Sequence, residues 1–265
     1  MAAMDFRRMM TLEPHGPDTY VASGPQYPWG GLYGGQIIAQ ALRAASLTVD
    51  PAFRLHSLHA YFIRLGDAAE PIRLEVDRIR NGRTFLTRRV VARQAVGAIL
   101  NMSTSFQVPE AAAEAQSEQM PDVAMPDGLR SDSWSPLIER RLLPADIAPG
   151  RVGAWMRLAE EIGDDPVLNA CALAYLSDDL PSDAVVARHP DRPPRDTPVR
   201  HFWNASLDHA IWFHRPLRAG EWHLHDVTCR ALFGARGLAV GAVFDRHGSH
   251  VATLSQEVLI RPARR

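Results

Sequence analysis

The stretch Asn204-Ala205-Ser206-Leu207-Asp208-His209-Ala210-Ile211-Trp212-Phe213-His214-Arg215-Pro216 reads as one β-strand carrying more polar chemistry than a plain core strand uses. Side chains along a strand alternate between faces. That alternation predicts Ser206, Asp208, Ala210 and Trp212 on one side, with Leu207, His209, Ile211 and Phe213 on the other. Neither side is cleanly apolar or cleanly polar. Two readings follow: an edge strand with solvated polar groups, or a strand that lines a reaction pocket.

Working outward, the chain repeats itself. Trp212-Phe213-His214-Arg215 echoes Tyr61-Phe62-Ile63-Arg64, and the strand-rich blocks Arg64 to Gln107 and Arg215 to Gln256 are nearly equal in length. A helix precedes each block. The first follows Gly30-Gly31-Leu32-Tyr33-Gly34-Gly35, and Ile37, Ile38, Ala41, Leu42 and Ala45 give it one apolar stripe between about Gln36 and Ser46. Its glycines serve either close packing of the helix on a sheet or approach of a ligand to the helix N-terminus, where free N–H groups attract anions and carbonyl oxygens. They match neither the dinucleotide nor the Walker pattern.

Four strand-like runs come next: Leu55 to Arg64, Pro71 to Arg80, Phe85 to Gln94 and Ala98 to Gln107, with tight turns at Asn81-Gly82 and Gly97. Ile72, Leu74 and Val76 alternate with Arg73, Glu75 and Asp77, as in a sheet with one wet face. Val108 to about Trp134 is rich in Ala, Glu, Gln, Pro and Asp and reads as an exposed linker. Helical signals return at Pro136 to Leu143 and at Arg151 to Ile162.

The next helix is marked by Asp165 as its cap and Pro166 in its first turn. Val167, Ala170, Cys171 and Ala174 form its stripe, and Asp178 falls on that same stripe. A buried carboxylate costs free energy unless it is hydrogen-bonded or charge-paired. Asp179 points roughly 100° away and is expected in solvent. Leu180 to Arg200, with Pro181, Pro190, Pro193, Pro194 and Pro198, reads as a loop. After the quoted stretch come strand runs at Trp222 to Thr228, Leu238 to Phe244 and Val251 to Ile260, with a hairpin turn at Asp245 to Gly248. The fold class is therefore α+β: two pseudo-repeats, each a helix wrapped by an antiparallel sheet. The expected units are residues 1–110, a linker at 111–135, and residues 136–265.

A chain of 265 residues can bury a sizeable core, and 46% hydrophobic with 22% charged residues is ordinary globular composition. Net charge is −1 and lysine is absent, so no global field favours nucleic acid or an anionic membrane. Two cysteines, Cys171 and Cys229, make neither a disulfide framework nor a metal site. Met1 to Pro14 holds no apolar core of signal-peptide length, no 18-residue apolar run follows, and Pro262-Ala263-Arg264-Arg265 is not a peroxisomal address. The expected location is the cytoplasm.

The groups able to do chemistry in the second half are Asp178, Ser206, Asp208, His209, His214 and Gln256. The first half offers Gln36, Gln40, His56, Ser57, His59 and Gln107, with no aspartate matching Asp178. A Ser-His-Asp nucleophile lacks its Gly-x-Ser-x-Gly elbow, and there is no His-Glu-x-x-His helix for zinc. A carboxylate, a hydroxyl and an amide remain, a set that can orient water against an ester-like carbonyl.

Three runs resemble the bacterial acyl-CoA thioesterase II family: Gly34-Gly35-Gln36-Ile37-Ile38-Ala39-Gln40-Ala41-Leu42, His56-Ser57-Leu58-His59-Ala60-Tyr61-Phe62, and Leu207 to Pro216. The resemblance covers both halves in order and implies a double-hotdog fold. It implies hydrolysis of acyl-CoA thioesters, with Asp178, Ser206 and Gln256 activating the water. Ser206 stands where threonine is also used and keeps the hydroxyl. Asp208 and His209 would then be structural. Gly35, Gln36, His59, Arg64, Arg88 and Arg89 are the candidate substrate contacts, the arginines for the CoA phosphates or simply as a solvated sheet face. Neither cofactor nor metal is expected, and pairing of sheet edges suggests a homo-oligomer, a dimer or tetramer. Two rival readings stand: a hotdog enoyl-CoA hydratase using Asp208 and His209, and a non-catalytic acyl-CoA-binding protein.

Overall fold

The structure is a computed structural model that describes residues 5–144, 148–192 and 201–263. In chain order its elements are α1 (Phe6–Met9), β1 (Glu13–Pro14), β2 (Thr19–Ala22), α2 (Gly34–Ser46), β3 (Arg54–Phe62), β4 (Ile72–Asn81), β5 (Phe85–Gln94) and β6 (Gly97–Gln107). After a 3-10 turn at Pro126–Gly128 come β7 (Ile138–Leu142), β8 (Arg151–Leu158), α3 (Pro166–Ser177), α4 (Pro181–Arg188), β9 (Phe202–Ser206) and β10 (Asp208–Phe213). The last three strands are β11 (His223–Phe233), β12 (Arg236–Phe244) and β13 (His250–Pro262).

One sheet holds every strand, in the order β1-β2-β4-β5-β6-β3-β10-β13-β12-β11-β8-β7, with β9 also on β13. The two repeats meet at its middle, where β3 and β10 run antiparallel and His59 faces Ala210. These two residues stand at matching places in the two copies of the motif, so the repeats are related by a pseudo-twofold through that pair. This is the double-hotdog arrangement expected from the sequence. The sheet wraps α2 and α3, whose apolar faces fill one continuous core with Ile38, Leu42, Leu74, Val90, Cys171, Leu173, Tyr175, Ala239 and Leu254.

Three expectations about secondary structure fail. Pro136 to Leu143 and Arg151 to Ile162 hold strands β7 and β8, paired with each other, not helices. β8 is buried on both faces: its inner residues meet the main core, and Trp155 packs outside with Trp222, Leu224 and Phe244. A strand covered on both sides loses its period-two signature and can be mistaken for a buried helix. The cover comes from the linker, whose Met120, Val123 and Leu129 lie on this second cluster, so it is not wholly exposed. Finally, α4 lies within the stretch read as a loop, because Pro181 sits in its first turn, where proline starts a helix instead of breaking one. Residues 193–200, with Pro193, Pro194 and Pro198, lie outside the described residues.

The alternation expected over 204–216 fails as well. Ser206 pairs with Val258 but Ala210 with Ser255, so four steps on one strand answer three on the other. Leu207 and Asp208 share the place opposite Glu257, which is a β-bulge. The Leu207 N–H donates to the Glu257 carbonyl at 2.8 Å, and the Glu257 N–H donates to Asp208 Oδ1 at 2.7 Å. Beyond the bulge the faces swap. Ser206 and His209, three apart, both reach the interior, while Trp212 stays half-exposed outside.

Candidate active site

Asp178 is the C-cap of α3 and only 8% exposed. The N-terminus of α2 closes on it from the other repeat. The Gly35 N–H donates to Asp178 Oδ2 at 2.9 Å, and the Tyr33 hydroxyl donates to the Tyr175 carbonyl at 2.9 Å. Tyr33, the N-cap of α2, gives no side-chain cap of its own, and Asp178 from α3 takes that place at the Gly35 N–H. The two glycines are required by the approach. A Cβ on Gly35 would lie 2.4 Å from the Tyr175 carbonyl oxygen, and one on Gly34 would lie 2.6 Å from Asp178 Oδ2. The close packing is thus against α3 and, at Gly34, also against Phe62 of β3.

Ser206, at the end of β9, donates to Asp178 Oδ1 at 3.4 Å, and Gln256 Nε2 from β13 donates to Ser206 Oγ at 2.6 Å. Gln256 is fully buried. Three elements far apart in sequence thus bring a carboxylate, a hydroxyl and an amide to one point. Burial pushes the Asp178 carboxyl up to about 7, against the pull of the Gln256 amide, the Gly35 N–H and Ser206. A carboxylate near 7 is suited to taking a proton from water at neutral pH.

The sequence offers His209 as a structural residue and leaves its partners unread. His209 is fully buried and bridges two side chains: Ser177 Oγ lies 2.9 Å from its Nε2, and its Nδ1 meets Gln256 Oε1. Burial pushes its pKa down to about 4. Asp208 goes the other way, toward His59 Nε2 at 3.1 Å on the outer face. The bulge and the strand therefore separate the Asp-His pair onto opposite sides of the sheet. Beside the α2 N-terminus, Tyr27, Trp29, Tyr33, Trp134 and Tyr175 form an aromatic cluster with ring centroids 5.1 to 6.2 Å apart. Nothing in their spacing along the chain joins Trp134 to the others.

Asp179 is not solvated. Its side chain is 7% exposed, accepts from Arg140 at 2.8 Å and takes the Trp134 indole N–H at 2.6 Å. The misreading follows from β7, which carries Arg140 to the end of α3. Gln36 spends its amide on Gln40 at 3.2 Å inside the first repeat. Arg88 corrects another expectation: it is 1% exposed, and its donors go to Thr48 and to the Arg80 and Thr87 carbonyls. It therefore neither faces solvent nor offers a phosphate site. Arg64 binds the Ala98 carbonyl at 3.0 Å and Arg89 pairs with Asp77 at 3.1 Å, both on the surface. Among the described residues, no group of three or more His, Cys, Asp or Glu is placed to hold a metal ion.

Two family models match this chain, described as an acyl-CoA thioesterase N-terminal domain over residues 23–107 and an acyl-CoA thioesterase C-terminal domain over residues 113–260. Acyl-CoA thioesterase 2 of Haemophilus influenzae is 34% identical over 256 residues, covering 87% of each chain. Acyl-coenzyme A thioesterase 8 of Mus musculus is 31% identical, covering 96% of this chain and 88% of its own. The solved structure of acyl-CoA thioesterase II TesB2 from Mycobacterium marinum superposes with a TM-score of 0.84 at 36% identity, over 97% of both chains.

Proposed function

This chain belongs to the acyl-CoA thioesterase family, and from that premise we propose that it hydrolyses acyl-CoA thioesters through a water held between Asp178, Ser206 and Gln256. The products are a fatty acid and CoA. The observation that carries this reading is the meeting of the three side chains at the N-terminus of α2, where Asp178 takes the Gly35 N–H.

In the proposed step the Asp178 carboxylate takes a proton from the water as its oxygen attacks the thioester carbonyl carbon. Ser206 and Gln256 fix the direction of attack. Charge developing on the carbonyl oxygen is met by the positive end of the α2 dipole, a preorganised electrostatic site. The C–S bond then breaks and CoA leaves with the proton. The aromatic cluster beside that turn gives the substrate an apolar wall. Arg64 and Arg89 stay candidates for the CoA phosphates. Association of copies into a homo-oligomer is part of the reading and is checked by light scattering.

Thiol release measured with short, medium and long acyl-CoAs tests the reaction. Asp178→Ala and Gln256→Ala should each cut turnover at least ~100-fold, the scale of a positioned acid-base group. In the parent enzyme, turnover should fall as pH drops through about 7, when Asp178 takes up its proton. Wild-type activity in Asp178→Ala would sink the mechanism.

A further inference from the structure

We propose that His209 is the positioning residue that sets which way round the Gln256 amide stands, and through it the donors offered to Asp178. The inference rests on the catalytic reading of Asp178, Ser206 and Gln256 given above.

An ionised Asp178 needs donors, and Ser206 is placed to supply one to Oδ1. If the Ser206 hydroxyl donates there, its oxygen must accept from Gln256 Nε2. Gln256 Oε1 then faces His209 Nδ1, which must carry the proton, because a carbonyl oxygen only accepts. With its one proton on Nδ1, His209 accepts at Nε2 from the Ser177 hydroxyl at 2.9 Å, which draws that proton away from the Ala174 carbonyl, the hydroxyl's other acceptor at 3.2 Å. One directed chain results, Ser177 to His209 to Gln256 to Ser206 to Asp178. Reversing the amide would make Ser206 donate to Gln256 Oε1 and would take its hydrogen bond from the carboxylate.

His209 suits this task because it is fully buried and stays neutral, so it always has one donor and one acceptor. The neighbouring charges leave that state intact. Asp208 lies across the strand with His59, and Asp179, beside Asp178, is held by Arg140. Tyr33 and the Gly35 N–H complete the surroundings of Asp178. The bulge at Leu207 and Asp208 is what places Ser206 and His209 on the same side, both within reach of Gln256.

The test is kcat/KM against pH for the full chain, with whichever acyl-CoA the parent enzyme cleaves fastest. His209→Gln can keep the contact to Ser177 but has no donor at the Nδ1 place. It should lose ~10–100-fold in kcat, the range for a misplaced reacting group, with KM little changed. Its acid limb should move to higher pH, because the carboxylate has lost its oriented donors. His209→Asn puts an N–H where Nδ1 stood and should recover most of that loss and the parent pH profile. Adding His209→Gln to Gln256→Ala should cost nothing further, because the two act through one group. Equal losses in both His209 variants with an unmoved acid limb would overturn the proposal and make His209 core filler. If His209→Gln does not fold, Ser177→Ala carries the test: it should shift the acid limb the same way by less, and an unshifted limb overturns the proposal. Full activity in Gln256→Ala would sink the parent reading. An inactive Gln256→Ala beside an unimpaired His209→Gln would sink this inference alone.

Discussion

The two repeats share a frame down to its irregularities and differ in what fills it. β3 carries a bulge between Leu55 and Ser57, at the place matching the bulge between Ser206 and Asp208. In both repeats two residues three apart therefore turn inward. In the first they are Leu55 and Leu58, with Leu58 opposite Thr104. In the second they are Ser206 and His209, with Gln256 opposite. The helix ends differ too. α3 is closed at its start by its own Asp165, which accepts from the Val167 and Leu168 N–H groups, whereas α2 has no cap of its own and its Gly35 N–H goes to Asp178 of the other repeat. At their C-termini, α2 stops at Leu47, 44% exposed, and α3 at the buried Asp178. The lesson is that the fold supplies two equivalent niches, and a handful of polar side chains distinguishes the one proposed to react.

The contrast is broken most directly by exchanging chemistry between matched places. Asp178→Ala should cost at least ~100-fold in turnover. Thr104→Val, at the place matching Gln256, removes the hydrogen bond to the Ser57 carbonyl, a cost to stability, and should leave thiol release within about twofold. A large activity loss in Thr104→Val would mean that the first niche also works.

Acid should separate the repeats next. His209, His223 and His225 are buried in the second repeat, and burial pushes their pKa values down to about 4, about 4 and about 3. Their unfolded forms take up protons near 6.5, so the stability they contribute is present above that pH. It is lost as pH falls from about 6.5 toward 4. The first repeat's His56 and His59 sit nearer its surface. Hydrogen exchange between pH 7 and 5 should therefore show β11 amides losing protection before those of β5. The reverse order would discard the comparison.

Gly35→Ala asks whether the crossing of the two helices matters as drawn. A methyl pressed against the Tyr175 carbonyl should destabilise by about 1–3 kcal/mol and reduce turnover as well, read from a melting curve and a thiol assay on the same sample. The mirror change is smaller. Asp165→Ala removes the cap of α3 and should cost about 1 kcal/mol with turnover nearly unchanged.

Much of the frame was legible in the sequence. Ile37, Ile38, Ala41 and Leu42 announce α2 at helical spacing, and Ile72, Leu74 and Val76 announce β4 at strand spacing. The failures have physical causes. β8 is covered on both faces, so alternation vanishes. A bulge adds one residue and inverts every later face, which no count of apolar positions reveals. At the candidate site, Asp178 stood out because it broke an apolar stripe, and Gln256 because it interrupted an apolar strand. His209 was visible but set aside, since its meaning lies in partners 32 and 47 residues away.

The position of β13 has a consequence for how the chain is made. Last in sequence, it lies between β10 and β12 in the sheet. Until His250–Pro262 leave the ribosome, both neighbours hold an open edge, the kind of surface that pairs with other chains. Gln256 arrives on that same strand. β13 thus covers both open edges and completes the proposed catalytic set together, so a nascent chain loses those edges at the step that brings Gln256 to Ser206.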